Sequence, residues 1–269
     1  MHLTKYIVLL MMTFFSVAQA QNKPVKSLFC YGDVVPERVE NFDYVVLESA
    51  WFSSEDIQTF KAKNKTVLAY ISLGEVSETA SFYEDVKDET LGKNPIWNSH
   101  ILNIEAEATR KALWAQIEMF IKTKQFQGIF IDNIDNYTSY GPTPEKQVAL
   151  LNFLSDLRRT YPDLIIMQNA GIQILESTKK LIDAIAIESI ASDYNFKNET
   201  YNLREKSDYK SRLRTLEYIK TTFNIPTIAI EYAQDEALKS KIEKRFKRTG
   251  ISVFVGQIDL QKIPNWYLK

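Results

Sequence analysis

Eight short apolar runs, each but the last followed by helix-like sequence, leave this 269-residue chain few folds to adopt. The runs are SLFCYG (27–32), YVVLES (44–49), TVLAYISLGE (66–75), GIFIDNID (128–135), DLIIMQNAG (163–171), AIAIESI (184–190), PTIAIEY (226–232) and ISVFVG (251–256). Continuous apolar runs of this length read as strands buried on both faces. Strands that alternate with helical patterns build βαβ units and a parallel sheet. Eight such units match a (β/α)8 TIM barrel, whose usual size of about 250 residues fits the chain. The expected fold is therefore α/β, in a single domain. A doubly wound open sheet is the competing arrangement.

The connections carry start signals of their own. Ser53-Ser54-Glu55-Asp56 opens a helix leading into IQTFKAKN. Residues 106–126 have apolar positions at helical spacing, and 142–162 repeat the pattern with Thr143 as N-cap and Pro144 first. Further helices are expected over 172–182, 210–224 and 235–250. Val76 to Leu102 reads as an irregular insert, long enough to form a lid or substrate wall. Residues 191–202 read as a polar loop.

Residues 1–20 have the form of a secretory signal, with Lys5, an apolar run from Tyr6 to Phe15, and Ala18-Gln19-Ala20 as the cleavage site. The expectation is a cleaved signal and a mature barrel over 21–269, secreted or periplasmic. A membrane anchor is the alternative, but the run is short for a bilayer. No later segment is apolar enough to span one.

Composition narrows the chemistry. The net charge is −1, with no basic excess to favour nucleic acid. Cys30 is the one cysteine and reads as a small buried strand residue. His2 leaves with the signal, so only His100 remains, which argues against Ser-His-Asp or Cys-His catalysis and imidazole–thiolate zinc. The eight glycines form no phosphate cradle. No metal or cofactor is expected, and a monomer is.

Carboxylates remain. In a barrel all strand carboxyl ends face one mouth. Those ends supply Asp33, Glu48, Glu75, Asp132 with Asp135, Asn169, Glu188 and Glu231, with no Lys or Arg among them. Like charges crowded in one cavity raise one another's pKa and destabilise it, so such a set points to use. Two uses fit: paired acids for glycoside hydrolysis, or capture of a cation. Tyr31, Trp51, Tyr70, Tyr137, Tyr140, Tyr194 and Tyr232 lie at or just after strand ends, where aromatic faces stack on sugars and attract ammonium groups.

The runs YG, VPERVENFDYVVLE, AYISLGE, GIFIDNIDNY, NAG and IES, in that order, resemble glycoside hydrolase family 114, the endo-α-1,4-polygalactosaminidases. The resemblance covers nearly the whole mature chain and is most specific at the fourth strand. It implies a barrel that cleaves α-1,4-linked, galactosamine-rich exopolysaccharide with retention. Its nucleophile matches Asp132 and its acid/base matches Glu188. A partly de-N-acetylated polymer is cationic, which suits acids without basic partners. Tyr31, Asp33, Glu48, Tyr70, Glu75, Asp135, Tyr137, Asn169, Glu231 and Tyr232 are the expected substrate contacts. Two other readings stay open: a non-catalytic barrel that binds amino-sugar polymer, and an α-glycosidase acting on a neutral glycan.

Overall fold

The computed structural model describes residues 24–268, so the expected signal over 1–20 lies outside the described residues. All eight expected strands form: β1 (Ser27–Cys30), β2 (Tyr44–Leu47), β3 (Thr66–Ser72), β4 (Gly128–Asp132), β5 (Ile165–Asn169), β6 (Ala184–Glu188), β7 (Thr227–Tyr232) and β8 (Ser252–Gly256). They pair in parallel, in chain order, as one eight-stranded sheet. Helices between them cover the outside, giving a single-domain TIM barrel.

The sheet rolls up until β8 faces β1. Among the described residues no strand ladder joins these two edges. The seam is closed instead by the Val25 N–H to Ser252 Oγ (2.7 Å), the Tyr31 N–H to the Leu260 carbonyl (2.7 Å), and Phe29 packed on Phe254. Phe29 also meets Phe130, with both ring centroids 5.3 Å away. These rings, fully buried, plug the barrel below its mouth. Each contributes roughly 1.5–3 kcal/mol of burial. Cys30 is buried beside them, and burial pushes its thiol up to about 11, as suits an inert strand residue.

The helix Ser54–Lys63 starts as its sequence asks. Ser53 Oγ accepts from the Asp56 N–H, and Asp56 accepts from the Ser53 N–H. Such a capping box is worth about 1 kcal/mol. Ile57 and Phe60 bury its inner face. The helix expected over 106–126 is α-helical from Glu107 to Glu118 and ends in a wider turn over Met119–Thr123.

Three connections differ from expectation. Thr143 caps nothing: its hydroxyl donates to the Asn136 carbonyl, a short 3-10 turn covers Pro144–Lys146, and the α-helix begins at Gln147. The 76–102 insert is ordered around a three-stranded antiparallel sheet, Glu75–Ser77, Ser99–Ile101 and Lys93–Asn94, with Ser99–Ile101 in the centre. The polar stretch 191–202 is a β-hairpin, Ser192–Asn195 paired with Thr200–Leu203. Its second strand does alternate, with Tyr201 and Leu203 turned to the core and Thr200 and Asn202 exposed, but the pattern is only four residues long and lies among polar neighbours.

Candidate active site

The site is built on three neighbouring strands. Asp132 ends β4, Asn169 ends β5 and Glu188 ends β6. Ile131 pairs with Gln168, which sets Asp132 level with Asn169, whereas Asn169 pairs with Ala186, so Glu188 rises two residues higher. This stagger is the shear of a closing barrel. Each of the three is followed at once by a residue in the left-handed region: Asn133 (φ 57°), Ala170 (φ 53°) and Ser189 (φ 57°). The chain thus turns away sharply and leaves each side chain standing at the mouth. The conformation is easy for Asn but costs Ala and Ser about 1 kcal/mol, and such strain gathers at functional sites.

One nitrogen ties the site together. Asn169 Nδ2 donates to Asp132 Oδ1 at 2.8 Å and to Glu188 Oε1 at 2.7 Å. Those two carboxylate oxygens can therefore be no more than about 5.5 Å apart. Asp132 also accepts from the Asn133 N–H (2.8 Å) and from the Tyr70 hydroxyl (3.0 Å). The Tyr232 hydroxyl bonds Glu188 Oε2. Asn169 Oδ1 is buried with no partner.

Burial raises the pKa of both acids. Three donors to Asp132 oppose that rise. For Glu188 the next largest cause is the charge of Asp132, which raises it further, against two donors. The two carboxyls, joined through one amide, titrate as a pair that holds on to protons above the ordinary carboxylate range. The phenols of Tyr31, Tyr70 and Tyr232 are pushed well up by burial and by these carboxylates, so they stay protonated, and Tyr70 and Tyr232 donate to Asp132 and Glu188. Tyr31 and Tyr70 pack at 4.5 Å and form a floor with Phe130 beneath.

The other expected contacts divide. Asp33 is exposed beyond β1. Glu48 accepts from the Ala50 N–H and sits near the Tyr31 and Tyr70 phenols; burial raises its pKa, while Lys124 lowers it. Lys124, which bonds the Ser49 and Phe52 carbonyls, gives the acid set one basic neighbour that reading strand ends alone could not find. Asp135 accepts from the Gly171 N–H at 2.8 Å and shapes the loop after β5. There Gly171 has φ +63°, and a Cβ would meet Ile134 at 2.6 Å.

Three expected sugar contacts are occupied otherwise. Glu231 precedes Tyr232 on β7, so strand alternation turns it away from the mouth. It is fully buried and accepts from the N–H groups of Ile190, Ala191 and Ser192 and from Ser192 Oγ. Tyr137 is also fully buried, its hydroxyl bonded to the Leu73 and Leu102 carbonyls. Glu75 is 7% exposed and takes bonds from Asn94, Asn136 and Ser99 at the base of the insert. All three hold loops, and none is free to meet a sugar in this arrangement.

An eight-stranded barrel with two paired, donor-bound carboxylates at its mouth defines a glycoside hydrolase of the TIM-barrel class. The sequence profile of glycoside-hydrolase family GH114 matches residues 15–268. The chain belongs to that family and is a glycoside hydrolase. Its structure is similar to that of the glycoside hydrolase domain of PelA from Pseudomonas aeruginosa, at TM-score 0.79 and 25% identity over 89% of this chain and 97% of that one. Aspergillus fumigatus Ega3, solved in complex with galactosamine, shares the fold at TM-score 0.68 and 17% identity over 90% and 96%. An uncharacterised protein of Methanocaldococcus jannaschii is 22% identical over 85% of this chain and 74% of its own length.

Proposed function

We propose that this hydrolase cleaves α-1,4-linked, galactosamine-rich polysaccharide with retention of configuration, and that it acts after export. The observation that carries the mechanism is the shared Asn169 donor, which keeps the facing oxygens of Asp132 and Glu188 within about 5.5 Å, close to the separation of retaining enzymes and short of the 6.5–9.5 Å that inversion needs. Asp132, ionised, attacks the anomeric carbon while Glu188 passes its proton to the departing glycosidic oxygen. Water, losing a proton to Glu188, then displaces Asp132 and returns the α-configuration. Tyr70 and Asn133 hold Asp132 in line. Asn169 Oδ1, left without a partner, is placed to accept from a substrate hydroxyl or ammonium. Tyr31, Tyr70 and Tyr232 form the floor under the sugar, with Glu48, Asp33 and Asp135 around it.

The galactosamine assignment is supported by family membership, by the galactosamine bound to Ega3, and by the acids around the mouth. Export is supported by the signal-like residues 1–20, and among the described residues no helix is long and apolar enough to cross a membrane.

The test is product analysis on defined α-1,4-galactosamine and N-acetylgalactosamine polymers, with the first-formed anomer followed by NMR. Release of α-configured oligosaccharide is expected. A β-configured first product would overturn retention, and no release would leave a binding barrel or another substrate. Turnover of the cationic polymer should fall as salt is added, whereas a neutral glycan would hardly respond.

A further inference from the structure

The strand pairings put a third acid in one layer with the two carboxylates. Leu47 pairs with Cys30 and with Ala69, so Glu48 after β2 is level with Tyr31 after β1 and Tyr70 on β3. Tyr70 pairs with Phe130, two residues before Asp132. The same step separates the catalytic pair: Asn169, level with Asp132, pairs with Ala186, two residues before Glu188. It recurs once more, because Ile230 pairs with both Glu188 and Phe254, two residues before Gly256. A rise of two residues for every two strands is the stagger of an eight-stranded barrel, in which side chains from alternate strands share a layer. Glu48, Asp132, Glu188 and Gly256, from β2, β4, β6 and β8, form such a layer at the mouth. They point inward with Phe130 and Phe254, the rings that plug the barrel.

Three members of this layer are acids and the fourth has no side chain. The backbones of β2 and β4 stand two strand spacings apart, about 10 Å, and the inward side chains narrow the gap. A sugar whose anomeric carbon meets Asp132 is therefore flanked by Glu188 on one side and Glu48 on the other. The remaining strand-end acids are not available there: Asp33 is exposed beyond β1, and Glu75, Asp135 and Glu231 hold loops. Glu48 accepts from the Ala50 N–H at 3.2 Å and from no side chain among the described residues. It is nevertheless fixed in place. The turn it opens, Ser49–Trp51, is braced by Trp51 Nε1 donating to the Tyr31 carbonyl (2.9 Å) and by Lys124 donating to the Ser49 and Phe52 carbonyls. Acids crowded in one layer repel one another when ionised, and a cation seated among them relieves that repulsion. An ammonium group does so, whereas an acetamide is neutral and bulkier.

We infer that Glu48 binds the ammonium group of the hexosamine seated against Asp132, and so makes the enzyme choose de-N-acetylated units over N-acetylated ones. This rests on the galactosamine reading above and assigns that choice to one side chain.

The test takes the full mature chain and a partly N-acetylated α-1,4-galactosamine polymer, and reads by mass spectrometry which sugar stands at each new reducing end. Products of the unaltered protein should end in galactosamine. Glu48→Gln keeps an oxygen for the Ala50 N–H but loses the charge, and its products should end in either sugar, in proportion to the polymer's composition. Its kcat/KM on a fully de-N-acetylated polymer, relative to that on an N-acetylated one, should fall roughly tenfold or more, mostly through KM. Glu48→Asp, which keeps the charge, should retain the galactosamine ends and guards against a turn that has merely come loose. Products of the unaltered protein without a galactosamine preference, or Glu48→Gln products that keep it, overturn the assignment while the galactosamine reading stands. If the unaltered protein releases nothing from either polymer, the galactosamine reading fails and the assignment with it.

Discussion

Asp132 and Glu188 are held by one shared donor, the Asn169 side-chain nitrogen, at 2.8 and 2.7 Å. That nitrogen favours the ionised form of both acids, and its removal sets the first prediction. In Asn169→Ala the pKa of each acid rises. The acid limb of the rate profile, where Asp132 must lose its proton, and the alkaline limb, where Glu188 must keep one, should both move to higher pH. A pH profile of kcat/KM reads this directly, and a profile that drops without moving would show that Asn169 binds substrate only.

Glu188→Gln should slow cleavage of polymer by about 10²–10⁴-fold. An aryl glycoside whose leaving group needs no proton should lose far less in the glycosylation step. Asp132→Asn should abolish turnover of both, because no second carboxylate replaces the nucleophile. Burst kinetics on the aryl substrate separate the two roles.

The same acids make the site a stability cost. Both carboxyls have folded pKa values raised by burial, so the folded state binds more protons than the unfolded one across the window from the ordinary carboxylate range up to the raised values. Stability contributed by these groups is present at low pH and falls as pH rises through that window. Asp132→Asn, which removes a charge and keeps the shape, should therefore raise the melting temperature at pH 7 and gain about 1–2 kcal/mol. The gain should shrink as the pH is lowered, which thermal unfolding at several pH values will show.

Glu231 is the structural counterpart of Glu188. It gathers three amides of the loop that leaves Glu188, while Arg204 takes the Ser189 and Ser192 carbonyls of that loop. Glu231→Ala strands those amides and should cost about 3 kcal/mol or more. Hydrogen exchange should show residues 190–192 losing protection beyond the rest of the barrel. If Glu231 instead touched sugar, stability would hold and KM alone would change.

Ala170→Gly should relieve the left-handed backbone after Asn169 and stabilise the fold by up to about 1 kcal/mol, less the entropy Gly adds to the unfolded chain. Denaturant unfolding measures it.

Much of this was legible in the residues. Asp132 and Glu188 stand among the acids that end apolar strands, and the strand count placed those ends at one mouth; the resemblance to family 114 singled the two out of the set. Alternation along β7 would have parted Glu231 from Tyr232, since neighbours on a strand face opposite ways; reading strand ends as a group blurred that parity. Tyr137 and Glu75 escaped because their partners are carbonyls and amides of distant loops, contacts that leave no local pattern. Lys124 reaches its neighbour Glu48 from the far end of a helix.

The unladdered seam between β1 and β8 bears on how the barrel breathes. Edge strands without a shared ladder open first, in brief local excursions. In the sheet β4, β5 and β6 lie in the interior of the ladder, each with a paired neighbour on both sides. Three strands separate Asp132 from the β1 edge and two separate Glu188 from the β8 edge. The paired carboxylates thus lie well inside the ladder, away from the one seam that no ladder closes.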